Sequence, residues 1–509
     1  GYVNQVLDGY GLNYNTAKSV DGLIDRFTIG DGGLFENGNH AFFFESESSS
    51  QTSSRGVYLD ADLTNTGINE TPGRRGGSNY DNDFASWTMS NEYGLKKDRD
   101  RKSFIGQFIW PGFDYLGEPT PYNVYPVGVA SFGTIDTAGF PKDSFYLYQS
   151  QWVKDPMVHL LPTNWDEWRE GETVDVWVNA NVQTAELFLN GESLGKKSFD
   201  KKTTAYGKEY LETSERTADD KTWGDNTNPG GYTSEGAVVD EGSTNYGKLH
   251  LSWKVPYEEG TLEVRAYDEH GDVVATDSVT TSKTPYTIKA EADKTVLAAD
   301  GTSLSYVECT IVDEDGNMVP DADNLVKFQV EGAAKIVGVD NGQQESTELY
   351  KWGNVDENTY SQRSAYHGKV LVILQSEREA GDVTLTIGSE NLKTTQVALK
   401  VTEDGTGEAP EQPVTEETLI SVDPVEISVP EQQKVTLPGT VTVHYDGGAA
   451  GEYTLVKNVT WDTPVSGVGT VEGTVDGLAE KAQAVISADP EMITDVNIAA
   501  NQALGSGSN

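Results

Sequence analysis

From residue 153 onward the chain alternates apolar and polar residues with a period of two, in short runs cut by Gly and Asp: TVDVWVNA (Thr173–Ala180), AELFLNGESLG (Ala185–Gly195) and GTLEVRAYDEHGDVVATD (Gly260–Asp277). A strand with that period buries one face and wets the other, so it needs partner strands and a second layer. Asn190-Gly191 between two such runs reads as a tight hairpin turn. This constraint makes most of the chain all-β. Residues 1–153 read differently. Apolar runs such as FIGQFIW (Phe104–Trp110) alternate with helix-compatible stretches such as TAKSVDGLIDRF (Thr16–Phe27), as expected of parallel strands with crossover helices.

The 509 residues suffice for about three to five domains, at roughly 100 to 200 residues each. Composition divides them as follows. Residues 1–153 are α/β, and 154–285 form a β-sandwich interrupted by a polar surface insertion at 200–246. Residues 286–402 and 419–488 have the length of immunoglobulin-like sandwiches. An acidic Pro/Glu segment, 403–418, is an extended solvated linker, and 489–509 is a tail or the start of another module.

Charge excludes several partners. With 37 Lys and Arg against 81 Asp and Glu, the net −44 repels nucleic acid and anionic lipid, whereas a neutral sugar is unaffected. No apolar run is long enough for membrane insertion. The single cysteine, Cys309 in SYVECTIV, leaves no disulfide framework or cysteine zinc site and reads as a buried small hydrophobe. VDEDGNMVPDAD (Val312–Asp323) lacks calcium-loop spacing and reads as a turn at Asp315-Gly316. Trp461 reads as a core residue.

Two strand ends carry chemistry. FFFESESSSQ (Phe42–Gln51) runs from apolar residues into Glu45 and Glu47, and FIWPGFDYLGE (Phe108–Glu118) ends in Trp110 followed by Asp114, Tyr115 and Glu118. An indole beside carboxylates suits a pyranose, whose C–H face stacks on the ring while acids bind its hydroxyls.

The segments GLNYN, SESSSQTSSRGVY, GQFIWPGFDYLGEPTPY and FGTIDTAGFPKDSFYLYQSQW resemble the end of the catalytic barrel in glycoside hydrolase family 2, nearest to its multidomain bacterial β-galactosidases. HLLPTNWDEWREGETVDVWVNANVQTAELFLNGESLGKKSF is similar to the sandwich that follows that barrel, and 286–402 and 419–488 to later modules. The resemblance implies that residues 1–153 are the C-terminal part of a (β/α)8 barrel, about strands six to eight. It implies a retaining hydrolase acting on terminal β-galactosides by double displacement, with transgalactosylation as a further outcome. It puts the nucleophile on Glu47, a hydrogen bond to it on Tyr14, the site wall on Asn13, the stacking platform on Trp110 and a hydroxyl or ion contact on Glu118.

Glu45 stands where the family usually carries a small residue, two positions from Glu47 and so on the same face. It either tunes Glu47 through mutual repulsion or is turned aside onto a neighbouring cation, and the second is expected. Glu92 in WTMSNEYG is expected to be structural, because the family's Asn-Glu acid/base precedes the nucleophile. The acid/base and the first barrel strands are therefore expected upstream, in the same precursor or another chain, and the isolated 509 residues should be inactive. No cofactor is required for this chemistry, and the sequence assigns no residues to a bound Mg, Na or Ca. The resemblance implies an extracellular or cell-surface bacterial setting. One alternative is a β-glucuronidase, disfavoured because VASFGTID (Val129–Asp136) lacks the Asn-x-Lys clamp of those enzymes. Another is a non-catalytic carbohydrate-binding or spacer array.

Overall fold

Alternation becomes two-layer packing wherever it is regular. On Thr173–Ala180, the side chains of Val174, Val176 and Val178 are fully buried in one core with Leu187, Leu262 and Val264 of the opposing sheet. That first sandwich pairs a three-stranded sheet (His250–Pro256, Thr173–Ala180, Val158–Leu161) with a four-stranded one (Glu192–Ser198, Thr184–Leu189, Thr261–Tyr267, Val273–Thr280). The computed structural model describes residues 7–14, 29–30, 34–35, 40–59, 73–84, 88–120, 122–215, 247–351, 359–413, 417–429, 435–448, 451–462 and 468–488. The expected helix at 16–27, the 216–246 part of the insertion and the tail after 488 lie outside them.

The hairpin turn sits where the sequence puts it. Asn190 and Gly191 both have positive φ, 52° and 81°, the twist a two-residue turn needs. At the insertion, Asp200–Thr203 and Glu209–Glu212 pair as an antiparallel hairpin.

A second sandwich stacks a four-stranded sheet (Thr287–Ala292, Leu304–Val312, Lys369–Ser376, Ala334–Asp340) on a five-stranded one (Val296–Ala298, Thr395–Thr402, Gly381–Gly388, Leu325–Gly332, Tyr360–Ser364). Its core includes Phe328, Val383, Leu385 and Cys309, the last buried on Leu304–Val312 with burial raising its thiol pKa. Asp313 closes the acidic turn, accepting the backbone N–H of Asp315 and Asn317. A further six-stranded sheet spans Thr418–Ala488, with Trp461 partly buried against its core. Before it, Gln412 bonds both the N–H and the C=O of Ala398 at 3.0 Å. Glu417 is held by Lys393 at 2.5 Å and by the Tyr286 hydroxyl at 2.7 Å.

The N-terminal part holds three parallel strands, Gly9–Asn13, Phe42–Ser48 and Phe104–Ile109, with Phe42–Ser48 in the middle. Two helices, Asn91–Lys96 and Asp143–Trp152, are the α-helices among the described residues. This much is α/β, although strands dominate the molecule.

The first sandwich also buries its outer face. Asp175, Trp177 and Asn179 turn from the sandwich core toward the N-terminal part, where Trp177 meets Tyr80 at 5.0 Å between ring centroids. The Tyr80 hydroxyl donates to the Asp175 carbonyl at 2.7 Å. At the same junction His159 lies between Asp143 of the helix, 2.6 Å away, and Asp277, 3.3 Å away.

Burial disfavours the His159 charge, but the two carboxylates outweigh it and raise the pKa from 6.5 to about 9. A raised histidine pKa contributes stability that is complete below about 6.5 and is lost as pH rises through about 9. The wild-type melting temperature should therefore fall toward that of His159→Gln as pH climbs from 6.5 to 9. Thermal unfolding of both proteins across that window checks it, and parallel curves would remove His159 as the source.

Candidate active site

Because the three N-terminal strands are parallel, their C-terminal ends share one edge. That edge collects Asn13 and Tyr14 from the first, Glu47 from the second and Trp110 from the third. Backbone bonds lock the ends together: Tyr14 N–H donates to the Glu47 carbonyl at 2.8 Å and Trp110 N–H to the Ser48 carbonyl at 2.9 Å. Tyr14, Ser49 and Glu118 have φ of 47°, 50° and 45°, a left-handed conformation uncommon for such residues that clusters at functional sites.

Glu47 is half-buried, and its carboxylate and the Ser50 side chain both act on the ionisation of the Tyr14 phenol. Burial, with the Glu47 charge, pushes the Tyr14 phenol up to about 12, although Ser50 opposes the shift. Tyr14 thus stays a donor at neutral pH. Asn13 is exposed and accepts from the Ser46 hydroxyl at 2.6 Å.

Trp110 is 37% exposed, so part of its ring faces solvent. Its indole N–H donates to the Tyr115 hydroxyl at 3.3 Å, and that hydroxyl donates to Glu118 at 3.4 Å. Tyr115 sits edge-on to Trp110 at 6.1 Å. Its phenol also adds slightly to the upward shift of Tyr14. The sequence placed Tyr115 on this loop without giving it a role. Its position between Asp114 and Glu118 was the available signal.

Glu45 and Glu47 do not share a face. Phe42–Ser48 shifts register against Phe104–Ile109 between Glu45 and Ser48, and against Gly9–Asn13 opposite Leu12 and Asn13, so simple alternation stops there. Glu45 is fully buried against Lys97, which also holds Asp98 at 2.5 Å. Burial raises the Glu45 pKa and Lys97 opposes that rise.

Asp114 is buried too, gripped by Lys142 at 2.8 Å and by the Gly133 N–H at 2.8 Å. Burial raises its pKa to about 7 against the pull of Lys142. It pins the loop and does not face the site. Glu92 opens the helix Asn91–Lys96 and pairs with His250 at 2.8 Å inside the junction. Burial works against its charge, but His250 and Lys96 prevail and lower its pKa. Among the described residues no group of three or more His, Cys, Asp or Glu is placed to hold a metal.

Comparison with known proteins adds the following. The family profile "Glycoside hydrolase family 2 C-terminal domain 5" matches residues 288–398, and a domain of unknown function (DUF4982) matches 171–214 and 218–275. Beta-galactosidase BoGH2A of Bacteroides ovatus is 38% identical over 325 residues, covering 64% of this chain and 31% of that protein. A putative beta-glucuronidase of Formosa agariphila is 32% identical over 272 residues, 53% of this chain and 22% of that protein. This chain therefore spans a third or less of those two relatives. Among solved structures, a beta-glycosidase from Bacteroides vulgatus superposes with a TM-score of 0.59 at 26% identity, over 78% of this chain and 45% of that one.

The Glu45–Lys97 contact makes a stability prediction. Lys97→Met takes the cation from two buried carboxylates, Glu45 and Asp98, and should cost about 3–5 kcal/mol, while the double variant Lys97→Met/Glu45→Gln should recover part of the loss. Denaturant unfolding measures both. Equal stability of Lys97→Met and wild type would show that the pair anchors nothing.

Proposed function

We propose, on its likeness to glycoside hydrolase family 2, that this chain carries the nucleophile and part of the sugar-binding wall of a retaining hydrolase acting on terminal β-galactosides. The observation that most supports this reading is the gathering of Glu47, Tyr14 and the half-open Trp110 ring at the shared edge of three parallel strands, joined by the Tyr14 N–H to Glu47 carbonyl bond. Strand ends are where barrel enzymes keep their catalytic residues.

In this reading Glu47 attacks the anomeric carbon while an acid protonates the departing oxygen, leaving a galactosyl ester on Glu47. Water, or another sugar hydroxyl, then displaces the ester with retention. Tyr14 holds the carboxylate in line, and Trp110 carries the apolar face of the ring. Asn13 and Glu118 bind hydroxyls at the wall.

A retaining pair needs a second carboxyl about 5–5.5 Å from the first. We assign it to the part of a (β/α)8 barrel beyond these three strands, supplied by the same precursor or by another chain. Support comes from the strand Phe104–Ile109, where Ile105 and Phe108 stand 64% and 66% exposed, as a barrel strand without its neighbours would. The 509 residues alone are then inactive. The setting we propose is extracellular or at the cell surface of a bacterium.

The Formosa agariphila relative favours a β-glucuronidase as the second reading. A substrate carboxylate calls for a cation. The run Val129–Asp136 contains none, and its Asp136 is occupied in a buried pair with Arg55 at 2.7 Å.

In the full-length protein Glu47→Gln should abolish nitrophenyl galactoside turnover, whereas Glu45→Gln keeps substantial activity. The reverse ranking would move the nucleophile. Trp110→Ala should lose about 1–3 kcal/mol of sugar binding. Faster turnover of the glucuronide than of the galactoside would end the galactosidase assignment.

A further inference from the structure

We propose that the turn Asp340–Gln344 of the second sandwich is a positioning element for the candidate active site. It braces the loop that follows Glu47 and the hairpin that carries Tyr115 against one another. The inference rests on reading Glu47 as the nucleophile, and it gives the module matched as a family 2 C-terminal domain a part in catalysis rather than in spacing.

The contacts converge from both sides. On the nucleophile side, Gln344 donates to the Ser54 hydroxyl at 2.5 Å and to the Arg75 carbonyl at 2.9 Å. Arg55 donates to the Asn341 carbonyl at 2.7 Å while its Nε holds Asp136 at 2.7 Å. On the hairpin side, Tyr115 and Leu116 pair with Ala130 and Val129, and the N–H of Gly128 donates to the Gln344 carbonyl at 2.9 Å. One residue, Gln344, therefore touches the nucleophile loop through its side chain and the platform hairpin through its backbone.

The turn is stiff enough to act this way. Arg363, 1% exposed at its side chain, donates to Asp340 at 3.1 Å and to Asn341 at 3.0 Å from within the sandwich. Asn341 is fully buried and Gln344 is 5% exposed. At Gly342 the fit is tight: φ is +75°, and an added Cβ would lie 2.0 Å from the Asp136 carboxylate. Any side chain there would push on the acid that orients Arg55. Sites fixed this tightly lose rate steeply when displaced, because about 1 Å of misplacement costs up to roughly 100-fold.

The test uses the full-length protein. Gln344→Ala and Gly342→Ala should each lower kcat on nitrophenyl galactoside about 10-fold or more with KM changed less than about twofold. Amide exchange should quicken over residues 48–59 and 127–136 but not over 173–199. Val383→Ala opens a cavity in the same sandwich core without touching the turn, and should keep the wild-type kcat. An unchanged kcat in the turn variants, a fall in kcat without faster exchange over 48–59, or an equal fall in Val383→Ala overturns the proposal. Should the wild type turn over no β-glycoside, the glycosidase reading fails separately. The exchange data then decide the brace alone: faster exchange over 48–59 upholds it and unaltered exchange sinks it.

Discussion

Two buried cations, Lys142 and Arg55, organise the N-terminal part. Lys142 gathers the Asp114 carboxylate and the Ser53 and Ser131 carbonyls at 2.8, 2.6 and 3.3 Å. Arg55 gathers Asp136 and the Asn341 carbonyl, and lies over the rings of Phe140 and Tyr366. A buried cation is tolerated only when its partners are complete, so each one fixes several loops at once. The loops so fixed are the ones leaving the strand ends. The geometry of Glu47, Trp110 and Tyr115 is thus set by ionic contacts beneath them as much as by the strands that carry them.

The junctions change what a sandwich is for. A strand such as Thr173–Ala180 is buried along nearly its whole length, with valines toward one core and Asp175, Trp177 and Asn179 toward the N-terminal part. There Lys254 holds Asp175 at 2.7 Å, and His250 stacks on Trp177 at 4.0 Å. Glu92 reaches the same His250 from its helix. The first sandwich is in this way a wall of the N-terminal part, and losing it would expose charged groups as well as apolar ones.

Local signals were legible in the sequence and long-range partners were not. Period-two runs gave the sandwich strands, Asn190-Gly191 gave its hairpin, and Cys309 fell on the inward side of its strand. Glu47, Tyr14 and Trp110 could be singled out because long family-like motifs surround them. For Glu45 the sequence led us to expect a neighbouring cation but could not name it, since Lys97 lies 52 residues away and a register shift breaks the alternation that would have placed it. The role of Gln344 was further out of reach, because Ser54 is 290 residues distant and nothing around either residue marks a contact. Tyr115 was visible as an aromatic on a polar loop, but only three-dimensional placement joins it to both Trp110 and Glu118.

The segment after Thr402 bears on how closely the last sheet is tied to the second sandwich. Gln412 mimics a strand residue by bonding both backbone groups of Ala398, and Glu417 is clasped by Lys393 and Tyr286. The covalent path between those two anchors, five residue steps, reaches at most about 18 Å at roughly 3.6 Å per residue. Parting the six-stranded sheet from the second sandwich would have to break the Glu417 contacts with Lys393 and Tyr286. The acidic linker is thus fastened to the second sandwich at both of these points, and its free reach is shorter than its contour length.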